Sequence, residues 1–168
     1  MPVDSFRWLP PFLAAQYREL QLEKVETPWT PLGKPIEKCR FALLTTAGLY
    51  VKGQDPPFDL ERERREPTWG DPTYRIIPRK VKQEEIGAAH LHVNTDDLLD
   101  DMNIALPIQR FLELEERGAV GSLAPSHYSF MGFQGYPGDT APWRDRYGPE
   151  VARRMREEGV DAAVLTPV

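Results

Sequence analysis

The sequence predicts an α/β protein, a layered domain with a mainly parallel sheet, Rossmann-like or flavodoxin-like, left incomplete at its C-terminus. Three observations predict it. Short apolar runs alternate with segments whose apolar residues fall at helical spacing. The two best helices share a punctuation, Pro in the first turn and Gly at the stop. The chain closes on "GVDAAVLTPV", a helix end followed by the pattern of a buried strand.

Residues 1–38 read as an N-terminal helix and an extended connector, and 39–168 as the α/β domain. In the first part, "PFLAAQYRELQLEK" (11–24) sets Leu13, Tyr17 and Leu20 at helical spacing. The next stretch, "ETPWTPLGKPIEK" (26–38), breaks regularity with three prolines and a Gly. "CRFALLTTAG" (39–48) is a buried strand feeding a loop. Residues 52–86 are rich in Pro, Gly and Asp, and only "YRII" is strand-like, so a long surface loop is expected there. "IGAAHLHV" (86–93) reads as a second core strand. "PIQRFLELEERG" (107–118) is a helix with Ile108, Phe111 and Leu112 on one face, and "AVGSLA" (119–124) is a strand giving way to a loop, "PSHYSFMGFQGYPGD". "PEVARRMREEG" (149–159) is the last helix, with Val151 and Met155 inward.

Composition narrows the function. The chain has 168 residues, 40% hydrophobic and 28% charged, which fits one globular domain. A net charge of -5 argues against nucleic acid as a partner, because phosphate binding needs a basic surface. The mixed-sign run "ERERREP" (61–67) reads as a solvated face. No apolar run reaches the roughly 20 residues of a membrane span, and "MPVDSFRWLPP" lacks a signal-peptide layout. Cys39 is the sole cysteine, so no internal disulfide or CxxC pair exists, and a cytoplasmic location is expected.

Three constellations can carry chemistry at the carboxyl ends of the strands, where open α/β sheets place ligands. In "HLHVNTDDLLDD", His90 and His92 on a strand face one side, and with Asp96, Asp97, Asp100 or Asp101 they can ligate a divalent metal. The alternative is that both histidines bond loop carbonyls. In "SHYSFMGFQG", His127 and Tyr128 follow a strand among glycines, as acid, base or substrate anchor, or as plain loop residues. In "LLTTAG", Thr45 and Thr46 resemble a first βα turn that can hold an anion, although no GxGxxG is present.

Taken together and in order, "DSFRWLP", "PWTPLGKP", "RFALLTTAGLYVKGQDPPFD", "GDPTYRIIP", "HLHVNTDD…DDMNIALPIQRFLELEERGAVGSLAPSHYSFMG" and "GVDAAVLTPV" resemble the N-terminal part of the selenoprotein B subunit of the glycine/sarcosine/betaine/D-proline reductases. The resemblance covers nearly the whole chain, with "YPGDTAPWRDRYG" (136–148) its least familiar piece. It implies an oxidoreductase that cleaves a C–N bond α to a carboxylate in an amino-acid-like substrate. It further implies a selenocysteine directly after Val168, read as a stop where UGA is decoded conventionally, and a pyruvoyl group on a partner subunit. On that expectation the chain is truncated before its nucleophile, holds no catalytic residue of its own, needs no metal, and alone is inactive. The residues expected to line the substrate pocket are Thr45, Thr46, His90, His92, Asp96, His127 and Tyr128. Two other classes stay open: a non-catalytic protein that binds a ligand, a partner or a second copy of itself, and a metal-dependent enzyme built on His90 and His92.

Overall fold

The computed structural model describes residues 5–19 and 30–168 and divides the chain into two compact units, 1–31 and 32–168. In the first unit a 3₁₀ turn, Ser5–Trp8, precedes helix α1, Pro11–Glu19. The expected continuation of α1 to Lys24, and most of the connector, lie outside the described residues.

The second unit is built on strand β1, Arg40–Thr45, an apolar run that alternates across the sheet. Phe41 and Leu43 point to one face and Leu44 to the other, since they belong to separate apolar clusters. After β1 come β2 (Leu49–Val51), helix α2 (Leu60–Arg65), β3 (Tyr74–Pro78) and β4 (Ile86–Ala88). Helices α3 (Thr95–Asp100) and α4 (Ile108–Glu116) follow, then β5 (Ser122–Leu123) and β6 (Ser126–Phe130). A π-type turn, Trp143–Tyr147, leads into α5 (Gly148–Glu157), and β7 spans Ala162–Thr166.

The main sheet is mostly parallel: β5, β6 and β7 all run parallel to β1, and β3 pairs antiparallel with β6. One face carries Phe41, Leu43, Ile77 and Leu123 against Ile108 and Phe111 of α4, with the β2–β4 ribbon and Met102–Leu106 completing the cover. The Phe41 and Phe111 rings sit 5.7 Å apart. The other face carries Leu44, Ile76, Tyr128 and Phe130 against Val151 and Met155 of α5. A fully buried side chain such as Leu43 contributes roughly 2 kcal/mol to this packing. Helices on both faces of a mainly parallel sheet make the layered α/β class expected from the sequence. Gly118 and Gly159 take φ of 69° and 70° and end α4 and α5 as the punctuation predicts.

Four expectations are corrected. "IGAAHLHV" is not a strand of the main sheet: β4 is three residues long and pairs antiparallel with β2 in a separate ribbon, and the histidines lie beyond it. "SHYSF" is strand β6 rather than a loop, so His127 and Tyr128 are fully buried. The 52–86 excursion contains β2's turn, α2 and β3, and it buries Glu63 and Arg75. Strand β7 is outermost among the described residues and only half-buried, with Leu165 63% exposed. Small apolar residues read the same at the edge and in the centre of a sheet, which is why the sequence could not separate the two.

One edge of β1 is shared. Arg40 and Phe41 pair with β5, whereas Leu44 and Thr45 pair with β6. Between them the ladder breaks at Pro125, which has no N–H and bends the chain. The Leu43 N–H, facing that break, donates instead to Nδ1 of His127 at 3.1 Å in the buried interior. The imidazole must be neutral to accept there. Burial, helped by Arg79, pushes its pKa down to about 3.

The sign of the linkage follows. Between the ordinary histidine value near 6.5 and about 3, the unfolded chain binds a proton at residue 127 that the folded chain refuses. Stability therefore falls as pH drops through that window, by a few kcal/mol at its lower end. Chemical denaturation from pH 7 to pH 4 is expected to show this slope. His127→Leu removes the slope from this residue and leaves the Leu43 N–H unsatisfied, costing about 1–3 kcal/mol at pH 7. An unchanged midpoint at pH 7 in that variant would contradict the account.

Candidate functional site

The carboxyl ends of β1, β6 and β7 converge on one edge, and threonine hydroxyls tie it together. Thr45 Oγ1 donates to the Thr166 carbonyl (3.0 Å) and accepts from the Ala47 N–H (3.2 Å). Thr46 Oγ1 accepts from the Val168 N–H (2.8 Å) and reaches the Val168 carbonyl (3.2 Å). Thr166 Oγ1 lies between the Leu44 and Ala105 carbonyls, at 3.1 and 2.5 Å. A hydroxyl has one hydrogen to give, so those of Thr45 and Thr46 are committed to backbone carbonyls. The turn after Thr46 leads into β2 and not into a helix, so the anion-binding βα turn expected from "LLTTAG" is not formed.

His90 enters this edge from the β4 side. The Ala89 N–H donates to the Gly48 carbonyl and the Gly48 N–H to the Phe130 carbonyl, both at 2.9 Å, which pins the segment against β6. Gly48 is held at φ 67°, where a side chain would be strained. His90 is 6% exposed, and its Nδ1 accepts the His92 N–H at 3.1 Å. In the neutral ring the proton therefore sits on Nε2. That Nε2 is buried and has no hydrogen-bond partner among the described residues.

Gly132 shows where His90 Nε2 points. A Cβ built on Gly132 would lie 2.8 Å from the Val168 carbonyl oxygen and 3.2 Å from both His90 Nε2 and the Thr46 carbonyl. The free imidazole nitrogen thus faces the point where β1, the turn after β6 and the end of β7 meet. Burial, reinforced by the nearby His92, lowers the His90 pKa, which keeps the ring a neutral donor.

The His92 and His90 rings are nearly perpendicular (88°) with centroids 6.0 Å apart, so they do not share the single direction expected of alternate strand residues. His92 packs on Phe133 at 4.4 Å, and its Nε2 lies 3.0 Å from Oε1 of Glu63. That pair is a close contact without hydrogen-bond geometry, since Oε1 is buried and has no hydrogen-bond partner among the described residues. Glu63 is buried at 4% exposure, and desolvation raises its pKa against the opposing pull of His92.

Glu63 went unseen in "ERERREP", where every residue looks solvated. The signal was local: Asp59 caps α2 by accepting the Arg62 N–H at 2.9 Å, which puts Leu60 and Glu63 on one inward face. Arg75 fixes the approach to that helix. Its guanidinium donates to the Pro56 and Pro57 carbonyls (2.8 and 3.3 Å), lies 4.2 Å over the Phe58 ring, and is 3.7 Å from Asp71.

The structure thus brings together Thr45, Thr46, His90 and His92. His127 and Tyr128 stand within β6 instead, and burial raises the Tyr128 pKa to about 12. Asp96 is exposed in the first turn of α3, its N–H capped by Asn94 at 3.2 Å, with no hydrogen bond or ion pair to either histidine. Among the described residues no three His, Cys, Asp or Glu side chains gather as metal ligands. Cys39 is fully buried at the far end of β1, its Sγ against the Pro35 carbonyl at 3.3 Å. A basic cleft of about 420 Å³ lies at the same far end, between Arg40, Arg79, Lys80 and Ser122. Its two arginines already serve Glu158, Ser122, Leu123 and Glu115.

Residues 15–168 match the family model described as Glycine/sarcosine/betaine reductase selenoprotein B (GRDB), and the chain belongs to that family. It is 34% identical over 138 residues to D-proline reductase subunit gamma of Acetoanaerobium sticklandii, covering 82% of this chain and 52% of that protein. It is 25% identical over 140 residues to Glycine reductase complex component B subunit gamma of Carboxydothermus hydrogenoformans, covering 83% of this chain and 30% of that protein. The chain thus spans about half the length of the first relative and less of the second. No solved structure matches it. No helix among the described residues is long and apolar enough to cross a membrane.

Gly132→Ala tests the closeness of this edge. The added methyl meets a backbone carbonyl at 2.8 Å, so the end of β7 must shift. The expected result is faster amide exchange at residues 164–168 and a loss of about 1–3 kcal/mol in stability. Unchanged exchange there would show that β7 does not dock as described.

Proposed function

We propose that this chain is the scaffold part of a reductase subunit that cleaves the C–N bond α to the carboxylate of an amino acid, in the class of glycine or D-proline. The observation that carries the proposal is the buried, unpartnered Nε2–H of His90 at the carboxyl edge of a sheet whose family acts in amino-acid reduction. Names of the relatives supply the substrate class, glycine and D-proline.

The described residues hold no thiol at this edge, because the only cysteine, Cys39, is buried at the opposite end of β1. On this reading the nucleophile is a selenocysteine outside these 168 residues. A selenolate, like a low-pKa thiolate, is ionised at neutral pH and nucleophilic. A pyruvoyl group on a partner subunit supplies an electrophilic carbonyl for the substrate's amino group. Toward both, this chain offers a fixed frame. Thr45, Thr46 and Thr166 clamp the strand ends, Gly132 lets the backbone after β6 pack closely against them, and His90 holds a neutral ring beside them.

The test is turnover by the full-length subunit with its partner subunits and a dithiol reductant. D-proline is expected to give a ring-opened amino acid with its amine retained, or glycine to release ammonia. The 168-residue chain alone is expected to give neither product. Activity of the short chain by itself, or reduction of neither amino acid by the assembled complex, would overturn the proposal.

A further inference from the structure

We propose that the basic cleft at the start of β1 is a docking surface for an acidic segment of a partner subunit. The inference rests on the proposed function, which requires partner subunits, and adds where one of them is held.

The cleft opens where β1 and β5 begin and β3 ends, at the opposite end of the sheet from the threonine edge. It encloses about 420 Å³. Arg40, Arg79 and Lys80 line it together with Ser122, while Pro78, Leu123 and Pro125 give it apolar walls. So many cations on one small surface stand out in a chain whose net charge is -5.

These charges are not balanced within the described residues. Glu115 pairs with Arg79 at 3.0 Å and also accepts the Leu123 N–H. Asp161 is taken by Lys34 at 2.7 Å and by the Arg40 backbone N–H, and the Glu158 carboxyl is taken by Ser126. No carboxylate among the described residues forms an ion pair with the Arg40 guanidinium or the Lys80 ammonium.

The donors are nevertheless held ready. Arg40 Nε donates to Ser122 Oγ at 3.2 Å, and its Nη1 donates to the Glu158 carbonyl at 2.6 Å. Arg79 Nη1 donates to the Leu123 carbonyl at 2.8 Å. A guanidinium carries five N–H groups, so these bonds fix both heads and leave hydrogens to give. Ser122 Oγ accepts from Arg40, which leaves its own hydrogen to donate. Much of the cost of ordering the binding groups is thus met by the fold before a ligand arrives.

The lining selects the ligand. An acidic side chain sets its carboxylate among the cations, in charge-assisted hydrogen bonds, and lays its aliphatic stem on the prolines and Leu123. Inorganic phosphate has no stem and would leave those apolar walls uncovered. More than one acid is needed, because Arg40 and Lys80 are both unopposed. Elsewhere the negative net charge repels such a segment, so complementary charge directs it to this cleft. The length of β1, about 17 Å at the usual strand rise, separates the cleft from Thr45. A partner held here leaves the carboxyl edge open to substrate.

The experiment uses the full-length subunit with its partner subunits and has two arms. In the first, Lys80 is replaced by photoreactive p-benzoylphenylalanine, the complex is irradiated and the cross-linked peptide is sequenced. The expected product joins this chain to a partner subunit through a peptide in which carboxylates outnumber cations. A cross-link within the same chain, to a second copy of it, or to a peptide without excess acid would overturn the proposal.

The second arm measures the affinity between subunits by sedimentation at low and raised salt. Lys80 makes no hydrogen bond or ion pair among the described residues, so its replacement spares the fold, whereas Arg40 also ties β1 to Ser122 and Glu158. Lys80→Glu is expected to weaken assembly about tenfold, with Lys80→Gln in between, and raised salt to narrow the difference. If the subunits neither associate nor reduce either amino acid, the proposed function falls and this inference with it. If they associate and turn over with the same affinity in Lys80→Glu as in the wild type, the docking surface falls and the proposed function stands.

Discussion

Strand β1 has two edges and three parallel partners, so one edge must be divided between β5 and β6. A divided edge leaves a gap in the ladder, and a backbone N–H facing a gap in the interior must find an acceptor. His127 provides it, reaching from β6 to the Leu43 amide with a ring that stays neutral over the physiological range. Because the imidazole bridges the break, β5 and β6 can follow one line along β1 although Pro125 separates them. The register that brings Thr45 opposite Ser129, and so places Met131 and Gly132 at the carboxyl edge, follows from that line.

The same edge shows how polar groups can order a site without binding anything. The hydroxyls of Thr45, Thr46 and Thr166 spend their hydrogens on carbonyls of neighbouring strands. They fix relative strand positions where the parallel ladder ends, a place where backbone groups would otherwise be loose. His90 differs because its Nε2 makes no hydrogen bond among the described residues.

Much of the scaffold was legible in the sequence, and particular residues explain what was not. The helices at 108–116 and 148–157 were readable because Pro and Gly mark their ends and their apolar residues recur at three and four. "CRFALLTT" was readable as a buried strand because Phe41, Ala42, Leu43 and Leu44 form an unbroken apolar run. "SHYSF" was not, since His, Tyr and Ser in succession look like a polar loop until tertiary contacts bury all three. "HLH" invited a strand-face reading, yet β4 ends at Ala88, and beyond it His90 is buried while His92 is half exposed. Glu63 was hidden by its charged neighbours, because six residues of helix give too little periodicity to single out one inward carboxylate. Of the residues expected at the site, the Thr46 carbonyl and His90 both lie beside Gly132 and His92 adjoins His90, while His127 and Tyr128 stand within β6 and Asp96 lies in α3.

The excursion between β2 and β3 is held by Arg75, whose side chain returns from β3 to grip the Pro56 and Pro57 carbonyls nineteen and eighteen residues earlier. That grip makes the loop, its short helix and the first half of β3 one mechanical piece. A chimera that exchanged α2 alone between relatives would sever it from its clasp. Only a graft carrying Pro56 through Arg75 together would keep the turn, the short helix and its buried carboxylate in their present arrangement, so this segment is the natural unit of exchange for anyone redesigning the protein.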